Sequence, residues 1–483
     1  MISRRIQTLF RQSKTSTEIL QLHCYLLKTS LDHHEYFFSQ FILSASSASL
    51  HHALKLFDKS PITPPPLFSW NTLIRAYSNS SSTPLESVKI FVQLLRTPGE
   101  LKADKFTYPF VIKACGRCLM LSVGASVHSM VLKEGFRSDS HVSNTLLTMY
   151  GGCGVIEFAR KVFDEMCDRD VVSWSSMIAA YVDLYALFVV GQVVVVCDPQ
   201  RRNSSSNPTG DTTLGRTYTQ STLRNLDVDA LRVFNDMKMV NQKPNVVTLV
   251  SLLAACTNLL NIKLGKSIHS QILINGVELH VGLGTALLRM YAKSGHLKES
   301  FHIFNSINEK NLQSWTVMIS CLADYGHGEE AISLFTKMKE SGLRPDSMSF
   351  SVVLSACSHK GLVLEGQELF DKMVNIYEIM PTMEHYGCMV DLFGRAGKIE
   401  EAYQIIMMMP MEPNSVILRS YLSACKNHGR VLFADKHLMQ LLLKIEPGIG
   451  ANYVLCSMRN DMKVKGLKKT PGYSWVLPHG VVI

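Results

Sequence analysis

The chain has 483 residues, 46% hydrophobic and 18% charged, which excludes a disordered, charge-dominated tail protein and leaves ample apolar surface to bury. Its 49 Lys and Arg against 40 Asp and Glu give a net charge of +9, which admits a polyanionic partner without demanding one. No apolar run reaches the roughly 18 residues of a membrane-spanning helix, and the 12 scattered cysteines predict a reducing compartment rather than a disulfide framework.

Residues 1–17 carry Arg4, Arg5, Arg11 and Lys14 and no acid, while Ile2, Ile6, Leu9 and Phe10 recur at helical spacing. A basic, acid-poor, amphipathic start is the composition of an organellar transit peptide, expected over 1–16; an ordinary first helix is the alternative. A mitochondrial address is expected, with the chloroplast as the alternative.

Internal repetition dominates the rest. A Ser-Trp stretch at 69–74 returns at 173–178 and 314–319, in steps of 104 and 141 residues. Ala-Cys at 114–115 returns at 255–256 and 356–357, in steps of 141 and 101. Met149-Tyr150 returns as Met290-Tyr291, again 141 on. The superperiod is therefore 101, enlarged once by about 40 inserted residues near 183–224, and the step of 104 fits three extra residues in the unit 67–104. It divides into units of 35, 31 and 35 residues at 246–280, 281–311 and 312–346.

Each unit predicts two helices. The second carries Ala, an aromatic four residues on and Met three further, as in Ala159/Phe163/Met166, Ala230/Phe234/Met237 and Ala331/Phe335/Met338. Those offsets put the three side chains on one face. Gly342 and Pro345 show how a unit ends, since neither continues a helix. A two-helix unit cannot bury its apolar face alone, so the fold class expected is an all-α solenoid of stacked helix-turn-helix repeats.

These units resemble pentatricopeptide repeats, and the alternating lengths resemble the plant subclass built of standard, long and short forms. The resemblance implies a right-handed superhelical array over 17–414. A partial long repeat is expected at 17–34 and a short one at 35–66. Standard, long and short repeats follow at 67–104, 105–139 and 140–170, then an interrupted standard repeat at 171–245. After the three units at 246–346 come a long repeat at 347–382 and a short one at 383–414. Residues 415–476 resemble the family's degenerate C-terminal extension, followed by a tail at 477–483.

The resemblance also implies a way of reading RNA, one base per repeat through two or three side chains. The fifth residue of a unit should face the concave groove, and the last should sit where it reaches the same base. The pairs are Asn71 with Asp104, Asn144 with Asp170, Ser175 with Asn245, Thr285 with Asn311 and Thr316 with Asp346. The family pattern assigns them uracil, uracil, adenine, adenine and guanine. Long repeats, with Pro109/Asp139 and Val250/His280, are left unread, giving 5′-U-N-U-A-N-A-G-3′. The competing reading is local: such residues at helix starts and unit ends are also ordinary caps and turn formers.

No enzyme is expected. Some relatives end in a zinc-dependent cytidine deaminase, which needs His-x-Glu and Pro-Cys-x-x-Cys. The chain has His33-x-Glu35 and His327-x-Glu329 inside repeats, and Cys115-x-x-Cys118 without the Pro. Cys115 shares its place with Cys256, Cys357 and Cys425 and reads as core. No catalytic residue, metal site or cofactor is expected. The implied role is an organellar single-stranded RNA binder that recognises sites for C-to-U editing. Its partners would be RNA, a deaminase-bearing relative acting in trans and other editing factors, with no membrane. A splicing, stability or processing factor, or a protein-binding scaffold, are the alternatives. The insertion matches no repeat and is either a surface loop or translated intron.

Overall fold

The computed structural model describes residues 15–98, 101–189, 220–430 and 436–447, with Phe10, Ile449, Asn452, Leu455 and Cys456 besides. Nearly all of the expected transit peptide, residues 190–219 of the expected insertion and everything past Cys456 lie outside the described residues.

The described residues form 23 α-helices and no strand. After α1 (Ser16–Lys28), first and second helices alternate: α2 (Glu35–Ala48) and α3 (Leu50–Asp58), α4 (Leu67–Asn79) and α5 (Pro84–Arg96), α6 (Tyr108–Arg117) and α7 (Leu121–Lys133), α8 (Ser140–Gly152) and α9 (Ile156–Glu165). The alternation continues with α10 (Val171–Val189) and α11 (Gln220–Met239), α12 (Val246–Asn258) and α13 (Ile262–Ile274), α14 (Val281–Lys293) and α15 (Leu297–Ser306). It closes with α16 (Leu312–Asp324) and α17 (Gly328–Glu340), α18 (Ser347–Lys360) and α19 (Val363–Asn375), α20 (Met383–Arg395) and α21 (Ile399–Met408), α22 (Ser415–Asn427) and α23 (Lys436–Ile445). Even-numbered helices thus open the units that the repeat spacing marks out. The interrupted unit keeps both helices: α10 runs to Val189 and α11 starts at Gln220, each extending into the span expected to be inserted.

Two compact units divide the chain, residues 1–268 and 269–483. In the first, α2, α4, α6, α8, α10 and α12 each pack on the next. In the second, α14, α16, α18, α20 and α22 do the same. Odd-numbered helices such as α9 and α17 pack between the first helix of their own unit and that of the next. This two-layer stacking is a helical-repeat solenoid.

The recurring sequence markers are the packing units. Trp70, Trp174 and Trp315 set their rings edge-on against Phe57, Phe163 and Phe304 of the preceding second helix, with centroids 4.6, 5.0 and 5.1 Å apart. Such aromatic pairs add about 0.5–1.5 kcal/mol beyond their buried area. The three Ala/aromatic/Met triplets of α9 (with Met166 just past its end), α11 and α17 are all buried. Close approach of the next first helix also needs a small residue: a Cβ on Gly124 would lie 2.8 Å from Met149 Sδ, and one on Gly366 would collide with Leu392. Cys115, Cys256, Cys357 and Cys425 are buried, and burial pushes the first three thiols up to about 12. They are core residues, as their recurrence predicts.

Candidate nucleic-acid interface

Asp170, Asn245, Asn311 and Asp346 each stand immediately before the following first helix, and Asp104 lies four residues before α6. Asn245, Asn311 and Asp346 cap α12, α16 and α18 by accepting from the backbone N–H three residues on. Asp104 and Asp170 accept from the N–H of Thr107 and Ser173 in the same way. Such a cap stabilises its helix by about 1 kcal/mol. The local reading of these positions is therefore correct for all five, but it is not complete.

In the first unit the cap also meets the fifth residue of its own repeat. Asn71 Nδ2 donates to Asp104 Oδ1 at 3.1 Å, and Asn144 Nδ2 to Asp170 Oδ1 at 3.2 Å. Ser175 Oγ lies 3.1 Å from Asn245 Oδ1. These contacts cross 33, 26 and 70 residues of sequence and join two neighbouring first helices. Ser175 Oγ also donates to Val171 O at 2.6 Å within its own helix, and the hydroxyls of the second unit do the same. Thr285 Oγ1 donates to Val281 O at 2.7 Å and Thr316 Oγ1 to Leu312 O at 2.9 Å, each within its own helix. Thr316 reaches Asp346 only through Ser349, whose hydroxyl is 3.1 Å from Thr316 Oγ1 and 2.7 Å from Asp346 Oδ1. No hydrogen bond joins Thr285 to Asn311 among the described residues.

The fifth side chains do not stand free in a groove, as the sequence alone suggests. Asn144, Ser175, Thr285 and Thr316 are 7, 3, 4 and 9% exposed, because the next first helix packs beside them. Asn71 is half-buried. The last residues are more open: Asp170, Asn311 and Asp346 are exposed, and Asp104 and Asn245 half-buried. In the long repeats Pro109 is buried and offers no donor, while Asp139 only caps α8.

One further residue recurs at every rung and was not singled out from the sequence. The third residue of the following unit carries a hydroxyl: Thr107, Ser173, Thr248, Ser314 and Ser349. Thr107 Oγ1 is 2.6 Å from Asn71 Oδ1 and 2.9 Å from Asp104 Oδ1. Thr248 Oγ1 is 2.7 Å from Ser175 Oγ and 2.9 Å from Asn245 Oδ1. The signal that would have found it is Asp/Asn-x-x-Ser/Thr at each boundary, the spacing of a reciprocal cap.

Around Thr316 the helices leave an open cavity of about 670 Å³, within the range of ligand pockets. Asn311, Thr316 and Asp346 line it together with Arg289, Lys293 and Met348. It thus combines short hydrogen-bonding groups, two cations and an apolar wall. At Asp170, desolvation acts to raise the carboxyl pKa, but bonds from the Ser173 backbone and hydroxyl and from Asn144 outweigh it. The net shift is downward, so the carboxylate stays charged at neutral pH and orients the Asn144 amide.

A repeat model described as "PPR repeat" matches residues 142–171, 285–312, 348–376 and 384–412, and one described as "PPR repeat family" matches 310–359. The pentatricopeptide repeat-containing protein At5g56310 of Arabidopsis thaliana is 36% identical over 94% of this chain and 87% of its own length.

The chain belongs to the pentatricopeptide repeat family.

A second pentatricopeptide relative, At1g59720 of the same plant, whose name adds "chloroplastic/mitochondrial", is 33% identical over 99% of this chain and 73% of its own. The crystal structure of the pentatricopeptide repeat protein PPR10 with an 18-nt psaJ RNA element is 16% identical, with a TM-score of 0.45 over 90% of this chain and 80% of that one. This pentatricopeptide repeat chain is a helical-repeat binding protein rather than an enzyme. Among its described residues no group of three or more His, Cys, Asp or Glu is placed to hold a metal ion. No described helix is long and apolar enough to cross a membrane.

Proposed function

We propose that the chain is a sequence-specific single-stranded RNA-binding protein of a plant organelle, serving as a site-recognition factor for C-to-U editing. The array belongs to the standard, long and short subclass, 415–476 acts as its terminal extension, and the deaminase is supplied in trans. The observation that carries the RNA reading is the rung: a short polar side chain and a cap residue recur at one register along the stacked first helices. Purely local caps do not account for the contacts from Asn71, Asn144 and Ser175 to the residues that cap the start of the next unit. One base per rung is the spacing that repeat-wise recognition requires. Arg289 and Lys293 beside Thr316 supply the phosphate attraction, which makes affinity fall as salt rises.

Binding of the full chain to RNA bearing 5′-U-N-U-A-N-A-G-3′, against a shuffled control, tests the recognition. A preference for the ordered sequence supports it, and equal binding overturns it. Transcriptome comparison of a null mutant with wild type tests the finer role. Loss of one or a few C-to-U events supports editing; changed splicing or transcript ends with editing intact would assign a processing role instead.

A further inference from the structure

Two rungs carry the same pair of residues and differ in their hydrogen bonds. At the first, both ends of the Asn71 amide are engaged: Nδ2 with Asp104 and Oδ1 with Thr107 at 2.6 Å. At the second, Asn144 Nδ2 donates to Asp170, while Asn144 Oδ1 is buried with no partner. The charged Asp170 fixes this orientation, since turning the amide would set oxygen against carboxylate. The third-residue hydroxyl there, on Ser173, is 2.9 Å from Asp170 Oδ1 and makes no bond to Asn144. A buried acceptor left unpaired is unfavourable, and such groups in a native structure call for an explanation.

We infer that the third residue of the following unit is a specificity-determining positioning residue, which sets how much each Asn/Asp rung discriminates by engaging the Asn oxygen or leaving it open. The inference rests on the reading that these pairs contact bases. Asn144 is 93% buried, and its unmet oxygen waits for a donor. An imide N–H, as in uracil, completes its bonding once the amide pivots on its Asp170 bond toward the RNA. Cytosine, whose ring nitrogen is an acceptor, leaves it unmade. Asn71 must first share or release its Thr107 bond to do the same, so less is gained from the imide. Two repeats with one code letter therefore read with unequal stringency.

The test measures binding of the full chain to RNAs with U→C at the first or the third base of the core. The third-base change is expected to weaken binding about tenfold, the first-base change about threefold or less, in line with tenfold per 1.4 kcal/mol. Thr107→Val removes the hydroxyl and keeps the shape, and should raise the first-base penalty toward that of the third. Thr107→Ser keeps the hydroxyl and should not. Equal, non-zero penalties in the wild type would overturn the inference while leaving base reading intact. Zero penalty at both bases would remove the base reading and this inference with it. An unchanged first-base penalty in Thr107→Val, with helicity and melting point held, would also overturn it. The wild-type comparison needs no variant to fold.

Discussion

The rungs of the first compact unit and those of the second are the same device made with different atoms. In the first, Asn71, Asn144 and Ser175 reach their caps directly across the helix interface. In the second, Thr285 and Thr316 turn their hydroxyls back to the carbonyl four residues earlier, as Ser175 also does, but make no direct bond to their caps. For Asn71 and Asn144 the difference follows from side-chain chemistry. An amide carries donor and acceptor one atom further from the backbone, so it can span to the next helix. A threonine hydroxyl in a helix finds its own backbone carbonyl first. Short Thr316 also leaves room, and the 670 Å³ cavity opens beside it. Sequence position thus fixes where a rung lies, while residue type and the spacing of the two first helices together fix whether it is closed or open.

The strongest way to break this contrast is to convert one kind of rung into the other. Thr316→Asn, with Asp346 kept, should close the Thr316 rung and move the seventh-base preference from guanine toward uracil. The expected swing is about 1–3 kcal/mol in binding, read by titration against RNAs differing at that base. An unchanged preference would contradict the pairing.

Removing caps should separate the two regions by stability. Asp170→Ala loses the α10 cap and strands the Asn144 amide, costing about 2 kcal/mol. Asp346→Ala loses mainly a cap and should cost about 1 kcal/mol. Urea titrations of the two variants compare them; equal losses would mean the cross-helix bond contributes nothing. Acid should act in the same direction. The Asp170 pKa lies below its usual 3.8, so its contribution is full above that value and fades as pH falls through the lowered pKa. In Asp170→Ala that part of the acid sensitivity should vanish.

The second helices offer the opposite sign. Asp227 in α11 is fully buried, with Oδ1 accepting from Asn258 and Oδ2 unpartnered, and desolvation raises its pKa to about 6. The folded state therefore holds this proton more tightly than the unfolded chain between pH 3.8 and about 6, and stability falls as pH rises through that window. Asp227→Asn should stabilise the first unit by on the order of 1–2 kcal/mol at pH 7.5 and flatten its pH profile, as melting curves at pH 5 and 7.5 would reveal. The smallest effect is expected from Lys293→Gln. Its exposed ion pair with Asp324, at 3.4 Å, contributes less than about 0.5 kcal/mol to stability. The same change should lower the salt slope of RNA binding by about one if Lys293 meets a phosphate.

Much of this was legible in the residues. Trp70, Trp174 and Trp315 marked the start of every standard repeat because each fills the same aromatic seat. The Ala/Phe/Met triplets marked the inner face of second helices because helical spacing alone aligns them. Cys115-x-x-Cys118 was separable from a metal motif because Cys115 recurs as a packing residue. The hydroxyls of Thr107, Thr248 and Ser349 carried only a cap signature in sequence, since their contacts with Asn71, Ser175 and Thr316 lie on a neighbouring unit. Nor was the burial of Ser175 and Thr285, which depends on how closely two first helices approach.

The sequence by itself determined the period, the two-helix unit, the buried face of each helix and the register of the polar pairs. All of these follow from spacing along one chain and from which side chains leave water. Only the tertiary structure decided which rungs are closed, which oxygen lacks a partner and where a cavity opens. Those depend on ångström-scale distances between helices 26 to 70 residues apart in sequence, and hydrogen bonding is too short-ranged to be set by composition or pattern.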